Sequence, residues 1–282
     1  MVRRVGLALA RASEILGAEP FFHELIAGIE RVLTPHGFAF LLKVVPDPEA
    51  AAAAIERWAA DGLVEGVVLI DLLPDDPRVS LVRRLGLPAV VIGDPGTGSG
   101  LPTVWAEDDL AMRDAVEVLA DLGHEHIGHI TGPRSLAHTA IRSEAFLAVA
   151  AERGIRVREA DGDYSEQSGE LATTALLAGD DAPTAIIADN DLMALGAIAA
   201  ARRAGVEVPE QLAILAWDDS ALAQRSEPPL AAMSHDVQRI GELTGESILA
   251  ALAAAEPAVV TAPRARFVRR GSIELLRNEK IN

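Results

Sequence analysis

The sequence predicts an α/β protein made of two doubly wound parallel-sheet lobes, and three observations carry that prediction. Apolar runs of strand length alternate with amphipathic runs of helix length along the chain. The alternation restarts near residue 123 with a second set of similar extent. At 282 residues, half of them hydrophobic, the chain is long enough for two lobes of ordinary size. Strands separated by helices must pair in parallel through right-handed crossovers, because helices then cover both faces of the sheet.

The first set opens with the strand "VGLALA" (5–10) and a helix through "FHELIAGIERVLTPHG" (22–37), which Pro35 and Gly37 terminate. A strand "FAFLLKVV" (38–45) and a helix "PEAAAAAIERWAADG" (48–62) follow, the helix stopping at Gly62. Next come the strand "GVVLI" (66–70), the short helix "PRVSLVRRLG" (77–86) and the strand "PAVVIG" (88–93). The segment "GDPGTGSGLP" (93–102) lacks the Gly-Lys-Ser/Thr ending of a phosphate-binding loop and reads as a turn-rich connector. A helix over 108–122 ends at Gly123.

The second set begins with the strand "HIGHI" (126–130) and a helix over 136–153 ended by Gly154. After "RVREADGDY" come a helix over 165–178, the strand "TAIIA" (184–188), the helix "DLMALGAIAAARRAG" (191–205) and the strand "LAILAW" (212–217). The strand "LAAMS" (230–234), a helix over 236–255 and a closing strand "RARFVRRGSI" (264–273) complete the chain. Ligands of doubly wound sheets bind at the carboxyl ends of the strands, here in a cleft between the lobes.

Composition excludes several function classes. A formal net charge of −17 at pH 7 repels a phosphate backbone, so this chain alone is no nucleic-acid binder. Arg264, Arg266, Arg269 and Arg270 form a local basic stretch that suits a solvated strand edge. With no cysteine there is no disulfide, thiolate zinc site or cysteine nucleophile. No apolar run reaches membrane-spanning length and no secretory signal opens the chain, so a cytoplasmic location without membrane association is expected.

Enzyme signatures are missing: there is no GxSxG elbow, HExxH or GxGxxG after the first strand. His124 and His126 share a strand face and His129 points the other way, short of the three protein ligands a catalytic zinc needs. The pairs Asp75/Asp76, Asp108/Asp109 and Asp218/Asp219 suit helix-start capping. The expectation is therefore a non-enzyme without metal or cofactor.

Six segments together resemble the sugar-binding core of the LacI/GalR family of bacterial transcription regulators. They are "EPFFHELIAGIE" (19–30), "ADLGHEHIGHITGP" (120–133), "IRSEAF" (141–146), "PTAIIADNDLMALGAI" (183–198), "GVEVPEQLAILAWDD" (205–219) and "SEPPLAAMSHDVQRIGE" (226–242). The resemblance covers about residues 5–276. It implies the periplasmic-binding-protein type I clamshell, with a first lobe of 1–122 plus 236–262 and a second of 123–235 plus 263–282. Three hinge strands then cross near Gly123, His235 and Pro263.

The resemblance also implies ligand-facing positions. Phe21 and Phe22 follow the first strand; one of them also suits the core. Arg142 matches a family arginine that forks onto hydroxyls or a carboxylate, against the alternative of a surface pair with Glu144 or Glu170. Leu136 and His138 fall where members vary effector choice. Tyr164 matches an aromatic position able to stack on a sugar face, or serves as a loop cover. Asn190 and Asp218 match polar residues at second-lobe strand ends, a set suited to a polyol. Asp191 is expected to cap the following helix, and one of Asp218 and Asp219 the next.

Three residues depart from the family pattern. Asp189 is an added acid that either faces the cleft or points away, Trp217 stands where Tyr or Phe is usual, and His235 where Gln is usual. The implied function is the effector-binding and dimerisation core of a regulator. A small sugar or related polar metabolite would shift a homodimer, and operator DNA would be contacted through a headpiece this chain does not include. A solute-binding protein of an uptake transporter is the alternative.

Overall fold

The computed structural model describes residues 2–11 and 19–274. Residues 1, 12–18 and 275–282, parts of the lobe ranges expected from sequence, lie outside the described residues.

In chain order the elements are β1 (Arg3–Ala10), α1 (Pro20–Leu33), β2 (Phe38–Val45), α2 (Pro48–Ala60), β3 (Gly66–Leu69), α3 (Pro77–Leu85), β4 (Ala89–Ile92), α4 (Pro95–Gly98), β5 (Thr103–Trp105) and α5 (Asp108–Asp121). They continue as β6 (His126–Thr131), α6 (Ala137–Arg153), β7 (Arg156–Asp161), α7 (Glu166–Leu177), β8 (Ala185–Ala188), α8 (Asp191–Ala204) and β9 (Ala213–Asp218). The last are α9 (Ala221–Gln224), β10 (Ala231–Ser234), α10 (Val237–Leu252), β11 (Val259–Thr261) and β12 (Arg266–Val268). The chain divides into two compact units: 1–107, 135–138 and 236–263 in the first, and 108–134, 139–235 and 264–282 in the second.

The first unit is a six-stranded parallel sheet in the order β11-β5-β4-β3-β1-β2. Strand alternation sends Val5, Leu7 and Leu9 to one face, against Leu25, Ile29 and Leu33 of α1 and Ile240 of α10. Ala8 faces the other way, toward Ile55 and Trp58 of α2 and Val79 and Val82 of α3. Both faces are therefore covered, as parallel pairing requires. Side-chain caps start the helices: Asp47 accepts from Ala50 N at 2.7 Å for α2, and Asp76 from Arg78 N at 2.9 Å for α3.

The second unit repeats the plan in the order β12-β10-β9-β8-β6-β7, with β12 antiparallel. One face holds Ile127, Ile187, Leu215 and Met233 against Met112, Val116 and Leu119 of α5 and Phe146 and Val149 of α6. On the other face α7 and α8 approach at backbone distance. A side chain at Gly169 would meet the Met193 backbone, and one at Gly196 the Glu166 carbonyl.

Several elements differ from the sequence expectation. The helix at 108–122, expected in the first lobe, forms α5 but belongs to the second unit, because its apolar stripe is buried in that unit's core. The first boundary accordingly falls at 107/108 instead of 122/123. The connector at 93–102 contains the one-turn α4, capped by Asp94 at 2.9 Å from Thr97 N. β5 and β11 are additional three-residue strands, and the closing strand shrinks from 264–273 to β12. No helix among the described residues is long and apolar enough to cross a membrane.

Candidate functional site

The carboxyl ends of β6, β8, β9 and β10 bring the polar residues of the second unit to one edge. Register fixes this. Ile130 pairs with Ala188, and Asp218 with Ser234, so Thr131, Asp189–Asp191, Asp218 and His235 all emerge at the same edge.

Arg142, on the second turn of α6, is clamped there. Its Nε lies 2.7 Å and its Nη2 2.6 Å from Oδ1 of Asp108, its Nη1 donates to the Asp189 carbonyl at 3.3 Å, and its guanidinium sits 4.6 Å over the Trp217 ring. Burial disfavours its charge, but Asp108, then Asp189, hold it charged far above the usual arginine value.

Asp189 points into the unit. Its Oδ1 accepts from His129 Nε2 at 2.9 Å and its Oδ2 from Gly132 N at 2.9 Å. His129 meets Glu159 Oε1 through Nδ1 at 3.0 Å, and Glu159 accepts from Ser143 Oγ at 2.6 Å. Burial lowers the imidazole pKa, yet Asp189 and Glu159 outweigh it and raise it to about 8. Burial also opposes the Asp189 charge, but His129, Arg142 and Gly132 hold its carboxyl down at about 2. The result is a buried charged bridge joining the ends of β6, β7 and β8.

The cap role expected of Asp191 falls to its neighbour. Asn190 is the cap of α8: its Oδ1 accepts from Met193 N at 2.8 Å, while its Nδ2 donates to the Tyr164 carbonyl at 2.9 Å. Asp191 instead accepts from Ser220 N at 2.6 Å, and burial pushes its carboxyl up to about 6. Asp218 and Asp219 both have left-handed backbones, with φ of 82° and 70°. Neither caps α9. Ser220 does, at 3.5 Å from Ala223 N, and Asp219 pairs with Arg270 Nη1 at 2.7 Å.

The family model described as a periplasmic binding protein-like domain matches residues 116–273, more than half of the chain. The solved structure of a LacI family transcriptional regulator from Bifidobacterium animalis subsp. lactis superposes with a TM-score of 0.89 at 32% identity, covering 98% of this chain and 99% of that one. This chain belongs to the LacI family. The HTH-type transcriptional repressor CytR of Escherichia coli is 32% identical over 227 residues, 79% of this chain and 66% of that protein. The LacI-family chain thus spans just under two thirds of that relative's length. A solved complex of a transcriptional regulator CelR with cellobiose superposes with a TM-score of 0.88 at 26% identity, covering 96% of this chain and 84% of that one.

The eight residues named from the family pattern fall into both units. Phe21, Phe22, Leu136 and His138 lie in the first; Arg142, Tyr164, Asn190 and Asp218 lie in the second. Phe22 is a buried core residue of the first unit, and Phe21 packs edge-on against it at 5.3 Å. Leu136 and His138 are partly exposed, and the Ala137 N between them donates to the Leu72 carbonyl at 2.8 Å. Arg142 pairs with neither Glu144 nor Glu170 but with Asp108. Tyr164 is buried with a left-handed φ of 72° and its hydroxyl 3.3 Å from Thr139 Oγ1. Its ring lies where any side chain at Gly132 would stand. This makes it a packing residue of the LacI-family core as well as a strand-edge aromatic.

Sequence reasoning missed Asp108 as the partner of Arg142, and the buried pair of Arg11 and Asp71, 3.1 Å apart after β1 and β3 in the first unit. Each is a charged residue just past a strand end or at a helix start, which is the signal that marks them. No cluster of three or more His, Cys, Asp or Glu placed to hold a metal occurs among the described residues.

Proposed function

We propose that this LacI-family chain is the effector-binding and dimerisation core of a cytoplasmic transcriptional regulator, and not an enzyme. Its effector is a small neutral sugar or related polyol held at the carboxyl-end edge of the second unit. The observation that carries this reading is Arg142, fixed by Asp108 over the face of Trp217 with Asp218 on the same edge. A fork of donors and a carboxylate acceptor are groups that grip vicinal hydroxyls, and Trp217 holds the fork in place from beneath. The similarity to a regulator solved with cellobiose supports the same class of ligand.

Operator DNA is contacted by a helix-turn-helix segment outside these 282 residues, consistent with the shorter span relative to CytR and with the acidic core. A homodimer transmits the effector signal between two such segments.

The test is thermal stabilisation by a panel of neutral sugars that includes cellobiose, on the wild type and on Arg142→Ala and Asp218→Ala. Stabilisation by at least one sugar, lost in both variants, is the expected result; stabilisation unchanged by the substitutions refutes the assignment. Sedimentation of the wild type tests the dimer: a dimer is the expected species, and a monomer across the concentration series refutes it.

A further inference from the structure

The first unit carries a cavity that the effector reading does not use. Its floor is one face of α10, where Leu243, Glu246, Ser247, Ala250 and Ala251 recur at the spacing that brings helix residues onto one side. The facing wall is Pro102, just before β5, and Val260 of β11, the edge strand of the sheet. Pro102 and Ala258 precede their strands, so the cavity lies toward the amino ends, away from the carboxyl ends where ligands of such sheets bind.

Its volume is about 190 Å3. An apolar cavity of roughly 150 Å3 holds a benzene-sized molecule, so one aromatic ring with a short tail fits here. The space exists because alanines stand on this face of α10. Ala250 is exposed, while Ala251 and Val260 pack against the core beneath.

The polar side chains that border it are Glu246, Ser247 and Glu256, and none is basic. Ser247 is 9% exposed, and its hydroxyl has no hydrogen-bond partner among the described residues. A helical serine or threonine can return its hydroxyl to the carbonyl four residues back, as Thr244 does to Ile240 at 2.8 Å. Ser247 does not. Glu246 Oε1 is held by Arg239 Nη1 at 3.0 Å, whereas Glu256 has no ion-pair partner among the described residues. The 16-residue α10 ends at Leu252 with no basic residue in its last turn, so its dipole adds negative potential at this end.

Chemistry narrows the occupant. A carboxylate or phosphate would meet two glutamates and the carboxyl end of a helix. A polyol would set its hydroxyls against alanine and leucine. A cation on an apolar body answers every group: the body fills the apolar space, and an ammonium donates to the Ser247 hydroxyl and the Glu256 carboxylate.

We propose that this cavity binds an arylalkylamine, its ring between α10 and β11 and its ammonium toward Ser247 and Glu256. The site is separate from the effector edge and does not rest on it.

The probe is 2-phenylethylamine at millimolar concentration, with 2-phenylethanol and 3-phenylpropionate as neutral and anionic counterparts. Methyl resonances of Leu243 and Val260 are followed in the 13C-labelled wild type, which needs no variant to be informative. Calorimetric Kd values are measured on the wild type, Glu256→Gln, Ser247→Ala, Ala250→Leu and Arg142→Ala. Ala250→Leu fills the cavity from an exposed helical position, where leucine is well tolerated.

The expected result is that the amine shifts both methyl resonances and the anion shifts neither. Binding should weaken by about three- to fivefold in Glu256→Gln and in Ser247→Ala. It should be lost in Ala250→Leu and unchanged in Arg142→Ala. Equal affinity for the amine and the alcohol overturns the proposal, as does an unchanged Kd in both Glu256→Gln and Ser247→Ala. Binding that survives Ala250→Leu, or that Arg142→Ala removes, puts the amine elsewhere and overturns it too. So does an amine that leaves the Leu243 and Val260 resonances in place.

Discussion

Raising the pH from 6.5 to 9 should destabilise the second unit through His129. The imidazole is enclosed by Asp189 and Glu159, with Arg142 beside the first carboxylate and Arg134 near the second. Protonated, it donates to both acids. Neutral, it keeps one N–H, and a lone pair faces a carboxylate oxygen on the other side. Its pKa is raised from 6.5 to about 8, so the folded state holds the proton more tightly than the unfolded chain. The stabilisation is complete below 6.5 and is lost as the pH passes through about 8. A shift of roughly 1.5 units corresponds to about 2 kcal/mol. At about 2–4 °C per kcal/mol, Tm should fall by about 4–8 °C over this window. Asp191, raised to about 6, loses its proton mostly below the window and contributes little to this change. Denaturant unfolding across the window, on the wild type and on His129→Gln, is the assay. The variant should lack this fall, and the same loss of stability in both proteins would refute the argument.

Three further outcomes follow from α7 and α8. Asn190→Ala removes the cap of α8 and the bond to the Tyr164 carbonyl, and should cost about 1–2 kcal/mol in urea unfolding. Asp191→Asn, by contrast, should leave the cap intact. Gly196→Ala places a methyl group against the Glu166 carbonyl, forcing α7 from α8 at about 1–3 kcal/mol, measurable as a lowered Tm.

Periodicity revealed the sheets because strand runs such as "VGLALA" and "TAIIA" are apolar on both faces and end in turn residues. The three-residue strands β5 and β11 were hidden, since Thr103–Trp105 and Val259–Thr261 are too short to show a period. The stripe of α5 was legible, but an amphipathic helix does not state which sheet it covers; only the contacts of Met112 and Leu119 do. In the site, Arg142 was readable from its motif, whereas its partner Asp108 lies 34 residues earlier. The cap assignment failed within a single residue. Asn190 and Asp191 are both good caps by type, and the exact end of β8 decided between them. The direction of Asp189 depended on His129, a residue 60 positions away.

The clamp on Arg142 has a consequence for how such a site changes over evolutionary time. Its three holds, the Asp108 carboxylate, the Asp189 carbonyl and the Trp217 face, all belong to the protein, so no ligand is needed to place the guanidinium. Substitutions around it can then alter which molecule is recognised without rebuilding the arginine's position. The site separates into a fixed arginine and exchangeable surroundings. Recognition and placement thereby become separate tasks, carried by different residues.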